Sequence, residues 1–196
     1  MAKFNIKNTV VVIGDSPYLN EIPVVHFIAH KYKSYGINRV INKVRCTNQV
    51  ATDLNIIANT SNKNKEIPIL TLYAWGDFVK VKQKDLLNTF SYDFERDDKQ
   101  LFKDNKLAWC GFTHDYVLSY LCTHTSYENI VLIGAADFIK GKHYSNSEDF
   151  TYGRILKDRS KYFIENVCTQ YKNIYTCNPD SYLDIPKVVI QDLLNT

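Results

Sequence analysis

The sequence predicts an α/β fold of Rossmann type, a mostly parallel sheet with helices on both faces. Three observations carry this expectation. Residues 8–14 (NTVVVIG) and 129–134 (NIVLIG) are unbroken apolar runs rich in β-branched side chains, the pattern of strands buried on both faces. Segments between such runs repeat apolar residues at helical spacing. Strand-like and helix-like stretches alternate along the chain, and such alternation builds parallel sheets with crossover helices.

The elements follow in order. After the first strand, Asp15, Ser16 and Pro17 mark a turn, and Ile22, Val25, Ile28 and Ala29 then define a helix over residues 22–35, with Gly36 placed as its C-cap. A short second strand is expected over 37–41, and an extended or turn segment over 50–57. Residues 59–65 (NTSNKNK) form a loop by composition. Residues 67–73 (IPILTLY) form a strand, with Pro68 near its start, where a missing N–H is tolerated. Residues 77–106 mix charges and aromatics and predict a short helix plus surface. Val117, Leu118, Leu121 and Cys122 share one side of a helix over 113–125, with Thr113 at the N-cap. The polar and aromatic stretch 140–152 predicts a covering loop. An amphipathic helix over 154–171, a strand over 173–177 and a helix over 185–194, with Pro186 in its first turn, complete the chain.

The 196 residues suit one domain, residues 1–196, with a lid-like insertion at about 139–153. Basic and acidic residues number 24 and 21 and are interspersed, so nothing calls for nucleic acid as a partner. The first apolar run is far shorter than the ~20 residues of a transmembrane helix, and no signal-peptide cleavage pattern follows it. Cys46, Cys110, Cys122, Cys168 and Cys177 form an odd, widely spaced set, which predicts neither disulfides nor a zinc knuckle and fits a reducing cytoplasm. His26 and His30 lie one helical turn apart but have no evident third ligand, so no metal site is expected.

Parallel sheets bind ligands beyond the carboxyl ends of their strands. The turn of Gly14, Asp15 and Ser16 after the first strand would offer N–H groups and a hydroxyl to a phosphate. Asn38 and Asn55 follow the next extended segments. Thr113 opens a helix, and Asp137 follows the strand over 129–134, where its side chain would face the crevice. His143 and His114 are the candidate catalytic bases, because imidazole titrates near neutrality.

These residues fall in an order that resembles a known family. Gly14-Asp15-Ser16-Pro17-Tyr18-Leu19-Asn20-Glu21-Ile22 looks like the opening G-[DN]-x-P-x-L-x-E-I of the small bacterial sialyltransferases of carbohydrate family 42. It also looks like the related proteins of the Maf and 6-hydroxymethylpterin diphosphokinase type. Gly36-Ile37-Asn38-Arg39 and Thr52-Asp53-Leu54-Asn55 stand where these families place ribose- or base-contacting residues. Ile130 to Gly134 leading into Ala135-Ala136-Asp137-Phe138 is similar to their L-x-G-x-D-F block, and Cys177-Asn178-Pro179-Asp180-Ser181 resembles their closing C-P-N-S turn.

The resemblance implies a nucleotide-dependent transferase that takes a nucleotide-sugar donor, a CMP-sugar in the sialyltransferases, and passes the sugar to a glycan or other small acceptor without a metal. It leaves a homo-oligomer open. Family members carry a lid histidine just before the helix that begins here near Arg154; this chain has none there, and His143 is the nearest substitute. Three alternatives stay open: a diphosphokinase-like enzyme using ATP and magnesium, with Asp15, Asp53 and Asp137 as its carboxylates; a noncatalytic nucleotide-binding protein; and a serine hydrolase. The last rests on Gly14-Asp15-Ser16, which matches the opening block of the lipase-like hydrolases, but no histidine follows His143 to complete a triad.

Overall fold

The computed structural model describes residues 4–53, 56, 69–71, 90–94, 100–136, 140–142, 149–151 and 153–195. Six parallel strands form the main sheet: β1 (Thr9–Ile13), β2 (Lys33–Ile37), β3 (Asn48–Val50), β4 (Ile69–Leu70), β8 (Asn129–Ile133) and β11 (Asn173–Thr176). Their spatial order is β11-β8-β1-β2-β3-β4. The chain therefore builds outward from β1 in one direction and then returns to its other side. That reversal, between β1 and β8, is where an open parallel sheet leaves a crevice at its carboxyl edge.

The apolar run of β1 divides its side chains by the twofold period of a strand. Val10 and Val12 join a core with Tyr35, Ile37, Ile130 and Leu132. That face is covered by α2 (Thr113–His124), through Tyr116, Val117, Leu118 and Leu121, and by the helical segment beginning with α3 (Arg154–Tyr162). Val11 and Ile13 join Val131 and Ile133 in a second core, under α1 (Val25–Lys31) and α4 (Ile190–Leu194). Helices thus lie on both faces, and the fold is α/β and Rossmann-like. Among the described residues no helix is long and apolar enough to cross a membrane. All five cysteines are buried and free.

Several local expectations are corrected. The helix over 22–35 is reduced to the short α1, preceded by a 3-10 turn (Pro17–Glu21), because Lys33–Ile37 is drawn into parallel pairing with β1. Gly36 is not a helix cap. It sits inside β2, where an added Cβ would stand 2.9 Å from Cys46 Sγ, so packing excludes a side chain. Residues 38–42 turn as a 3-10 helix rather than continuing as a strand.

Of the span 77–106, expected to hold a short helix, residues 77–89 and 95–99 lie outside the described residues, and 90–93, 102–103 and 106 belong to strands of a second sheet. There β5 (Phe90–Asp93) pairs parallel and β6 (Phe102–Lys103) antiparallel with β7 (Lys106–Trp109). The expected loop at 140–152 contains a hairpin of β9 (Lys140–Lys142) and β10 (Asp149–Thr151). The helix over 154–171 is α3 continued by a π turn (Phe163–Val167) and a 3-10 turn (Cys168–Gln170). Only 190–194 of the last expected helix is helical. Pro186 instead lies beside β11, where its carbonyl accepts the Thr176 N–H at 3.1 Å.

Candidate functional site

A cavity of about 500 Å³ opens at the carboxyl edge, at the strand-order reversal. The turns after four parallel strands meet there: Gly14 and Asp15 after β1, Asn38 and Arg39 after β2, Thr52 and Asp53 after β3, and Gly134 to Ala136 after β8. Trp109, Gly111 and Phe112 add a wall from the end of β7, and Thr113 and His114 bring in the N-terminus of α2. Lys157 on α3 and Tyr182 beyond β11 also line it. Six residues with positive φ are found among the described ones, and four of them, Asn38, Gly111, Gly134 and Ala136, line this cavity. Backbone strain concentrates where a chain must shape a ligand site.

The β1 and β8 turns are locked together. Gly14 N–H donates to the Ile133 carbonyl at 3.0 Å and Ser16 N–H to the Gly134 carbonyl at 3.2 Å. Ser16 is 2% exposed and does not line the cavity; its Oγ accepts the Tyr18 N–H at 3.2 Å and caps the 3-10 turn. The turn therefore offers the cavity Gly14 and Asp15. A nucleophilic Ser16 has no support in this placement, since its hydroxyl is buried in a cap.

A line of side chains joins the next two turns to α2. Thr52 Oγ1 and Thr113 Oγ1 lie 2.9 Å apart, and the Thr113 hydroxyl donates to Asn38 Oδ1 at 3.2 Å. Thr113 is thus the first helical residue rather than the cap, and its side chain faces the cavity. Asn38 holds its place with φ of 53°, a left-handed conformation that asparagine tolerates better than most residues.

His114 is stacked on Phe112, with ring centroids 5.0 Å apart and planes within 12°. Its side chain is 13% exposed, and burial pushes its pKa down to about 3, so the imidazole is neutral across the physiological range. Its Nε2 lies 2.9 Å from Ser160 Oγ, and Ser160 donates to Asp115 Oδ1 at 2.6 Å. Asp115 is fully buried in the first turn of α2 and accepts the Phe112 N–H at 3.3 Å. Burial pushes its carboxyl up to about 7, against the opposing pull of Ser160, the Phe112 and Cys110 amides and Arg159.

The cavity carries both charge signs. Asp15 and Asp53 face it, as do Arg39 and Lys157. Lys157 Nζ stands 4.7 Å above the Tyr182 ring.

Of the residues expected from sequence, Gly14, Asp15, Asn38, Thr113 and His114 share this one cavity. Asn55, Asp137 and His143 lie outside the described residues. Ala135 and Ala136, which precede Asp137, are in the cavity wall. Sequence reasoning passed over Phe112, Lys157, Tyr182, Asp115 and Ser160. A glycine between aromatics just before a helix, in Trp109-Cys110-Gly111-Phe112-Thr113, was a usable signal for the first of these. Lys157 and Tyr182 meet only through the fold. No group of three or more His, Cys, Asp or Glu side chains placed to hold a metal occurs among the described residues. Comparison with family models, with curated proteins and with solved structures finds no match.

Proposed function

We propose that this cavity binds a nucleotide-activated donor and that the chain is a group transferase, most like a sialyltransferase-type glycosyltransferase with a cytidine nucleotide donor. The observation that carries the proposal is the meeting of the β1, β2, β3 and β8 turns with the N-terminus of α2 in one cavity at the strand-order reversal. Its volume of about 500 Å³ falls within the range of small-molecule and cofactor sites. The parts have the chemistry such a donor needs. Glycine turns and a helix N-terminus suit a phosphate, and Lys157 adds positive charge. The amide of Asn38 and the hydroxyls of Thr52 and Thr113 suit a ribose or a base edge. Trp109, Phe112 and Tyr182 offer apolar faces for a ring. The candidate bases for the acceptor hydroxyl are His143 and His114, and replacement of the one that serves is expected to abolish turnover with donor affinity retained.

A second reading is a diphosphokinase-like enzyme that uses ATP with magnesium. The presence of both Asp15 and Asp53 in the cavity lining favours it. A thermal-shift comparison of CMP, UDP and ADP, with and without magnesium, decides between them. Stabilisation by CMP without metal supports the first; stabilisation by the adenine nucleotide that needs magnesium supports the second. A ligand at a hundred times its Kd adds about 2.7 kcal/mol, which moves the midpoint measurably. A flat response to every nucleotide sinks both.

A further inference from the structure

Three side chains from two helices make an unbroken polar line that starts in the cavity wall and ends in the core. His114 lines the cavity, its Nε2 meets Ser160 Oγ at 2.9 Å, and Ser160 Oγ meets Asp115 Oδ1 at 2.6 Å; Nε2 itself stands 3.3 Å from that Oδ1, with the Ser160 hydroxyl making the shorter contact to each. Ser160 and Asp115 have no exposed surface. With Nε2 engaged by Ser160, Nδ1 is the ring nitrogen left for a ligand, and it has no hydrogen-bond partner among the described residues.

We propose that His114, Ser160 and Asp115 form a proton relay that carries the proton of a ligand hydroxyl in the cavity to the buried Asp115 carboxylate. The proposal deepens the transferase reading and rests on it for its substrate. When Asp115 is ionised it can only accept, so the Ser160 O–H points to Oδ1 and Ser160 Oγ accepts the His114 Nε2–H. Nδ1 then holds the lone pair. As an acceptor hydroxyl attacks the donor carbon, its O–H bond breaks and its proton goes to Nδ1. The Nε2 proton passes to Ser160 Oγ, and the Ser160 proton passes to Asp115 Oδ1. The hydroxyl electron pair forms the new bond to carbon and the nucleotide leaves with the old one. His114 ends neutral as the other tautomer, Ser160 is restored, and Asp115 is a carboxylic acid.

Burial explains why the proton travels on. An imidazolium is costly at His114, whereas a neutral acid is the favoured form of a carboxyl with no exposed surface. The titratable groups facing Asp115 are His114, whose Nε2 lies 3.3 Å from Oδ1, Arg159 on α3, Cys110 after β7 and Cys168 beyond α3; with the imidazole neutral, Arg159 is the cation among them. A cluster that merely capped α2 would need the Asp115 contact to Phe112 N–H but not the bridge from Ser160 to the cavity histidine.

The test is nitrogen-15 NMR of the whole chain with labelled histidine, from about pH 5 to about pH 9, with His114 identified by the signal that His114→Gln removes. The expected result is a His114 that stays neutral throughout and changes tautomer as Asp115 titrates, with Nε2–H at high pH and Nδ1–H at low pH. Asp115→Asn abolishes the change, and Ser160→Ala blunts or abolishes it. A wild-type tautomer that does not respond to pH overturns the relay, whether or not the variants fold, and so does a response that persists in Asp115→Asn. With CMP-sialic acid as the probe, Ser160→Ala is expected to slow CMP release about tenfold or more in kcat, with KM little changed and the pH dependence flattened. An unchanged pH profile counts against the relay. A chain that binds no CMP yet shows the coupled tautomer change loses the nucleotide reading and keeps the relay.

Discussion

Gly14 and Gly134 approach so closely that a Cβ built on Gly14 would stand 2.1 Å from the Gly134 carbonyl oxygen. No side chain fits there, and the obstructing atoms are backbone. The contact fixes the turns after β1 and β8 against each other and so sets one edge of the cavity. Gly14→Ala is expected to lose about 2–3 kcal/mol of stability, in the range of overpacked cores, and to weaken CMP binding further than stability alone explains. Urea unfolding and calorimetric titration measure the two effects. A variant as stable as the parent would mean that the turns separate without cost.

Asn38 combines a left-handed backbone with a side chain that accepts the Thr113 hydroxyl. The two roles separate by substitution. Asn38→Gly keeps the conformation and loses the hydrogen bond, a net cost of about 0.5–1.5 kcal/mol. Asn38→Ala loses the bond too and still holds a Cβ at positive φ, about 1–2 kcal/mol less favourable than the glycine variant, without the polar side chain that lets asparagine tolerate it. The expected order of stability is Asn, then Gly, then Ala, with CMP binding weakened about tenfold in both variants if an amide is needed to read the ligand. Reversal of the Gly and Ala positions in urea melts would show that the left-handed conformation is not kept.

Lys157 is a cavity cation whose one close neighbour of note is the face of Tyr182. Lys157→Met keeps most of the stem and removes the charge. CMP affinity is expected to drop about tenfold, since a charge-assisted bond contributes about 1.5–3 kcal/mol, while cytidine affinity stays level. Equal losses for both ligands would assign Lys157 to packing instead.

His114 and Asp115 give stability opposite slopes with pH. His114 falls from its ordinary 6.5 to about 3, so the folded state binds fewer protons there; its contribution is present above 6.5 and is lost as pH falls toward 3. Asp115 rises from 3.8 to about 7, so its contribution is present below 3.8 and is lost as pH rises through 7. Compared with the parent, His114→Gln should become less harmful as the medium is acidified below 6.5. Asp115→Asn should become less harmful as pH is raised from about 4 to 7. Urea melts of each variant at several pH values in this window give the slopes, and parallel curves for parent and variant would contradict the assignment.

Most of the sheet was legible because β1 and β8 are buried on both faces and leave no polar residue to break the apolar run. The helix α2 was legible for a related reason, since Val117, Leu118, Leu121 and Cys122 recur on one side of it. The ends of elements were not. Gly36 has the composition of a helix cap, yet close packing against Cys46 is what requires it. The second sheet was missed because β5 and β6 are mostly exposed and too short to set up an alternating pattern. At the site, the turns after strands could be found from glycine and asparagine positions. The meeting of His114 with Ser160, 46 residues away, could not, because it depends on how α3 lies against α2.

Cys46, Cys110, Cys122, Cys168 and Cys177 are all buried in the folded chain, and burial raises the Cys46 thiol to about 12 and pushes Cys110 and Cys168 up as well. A water-soluble alkylating agent then has nothing to attack until the molecule opens. The thiols come from both cores and from strand ends, so the order in which mass spectrometry finds them modified would chart which parts of the protein loosen first. The native chain carries its own set of opening reporters, with no label added.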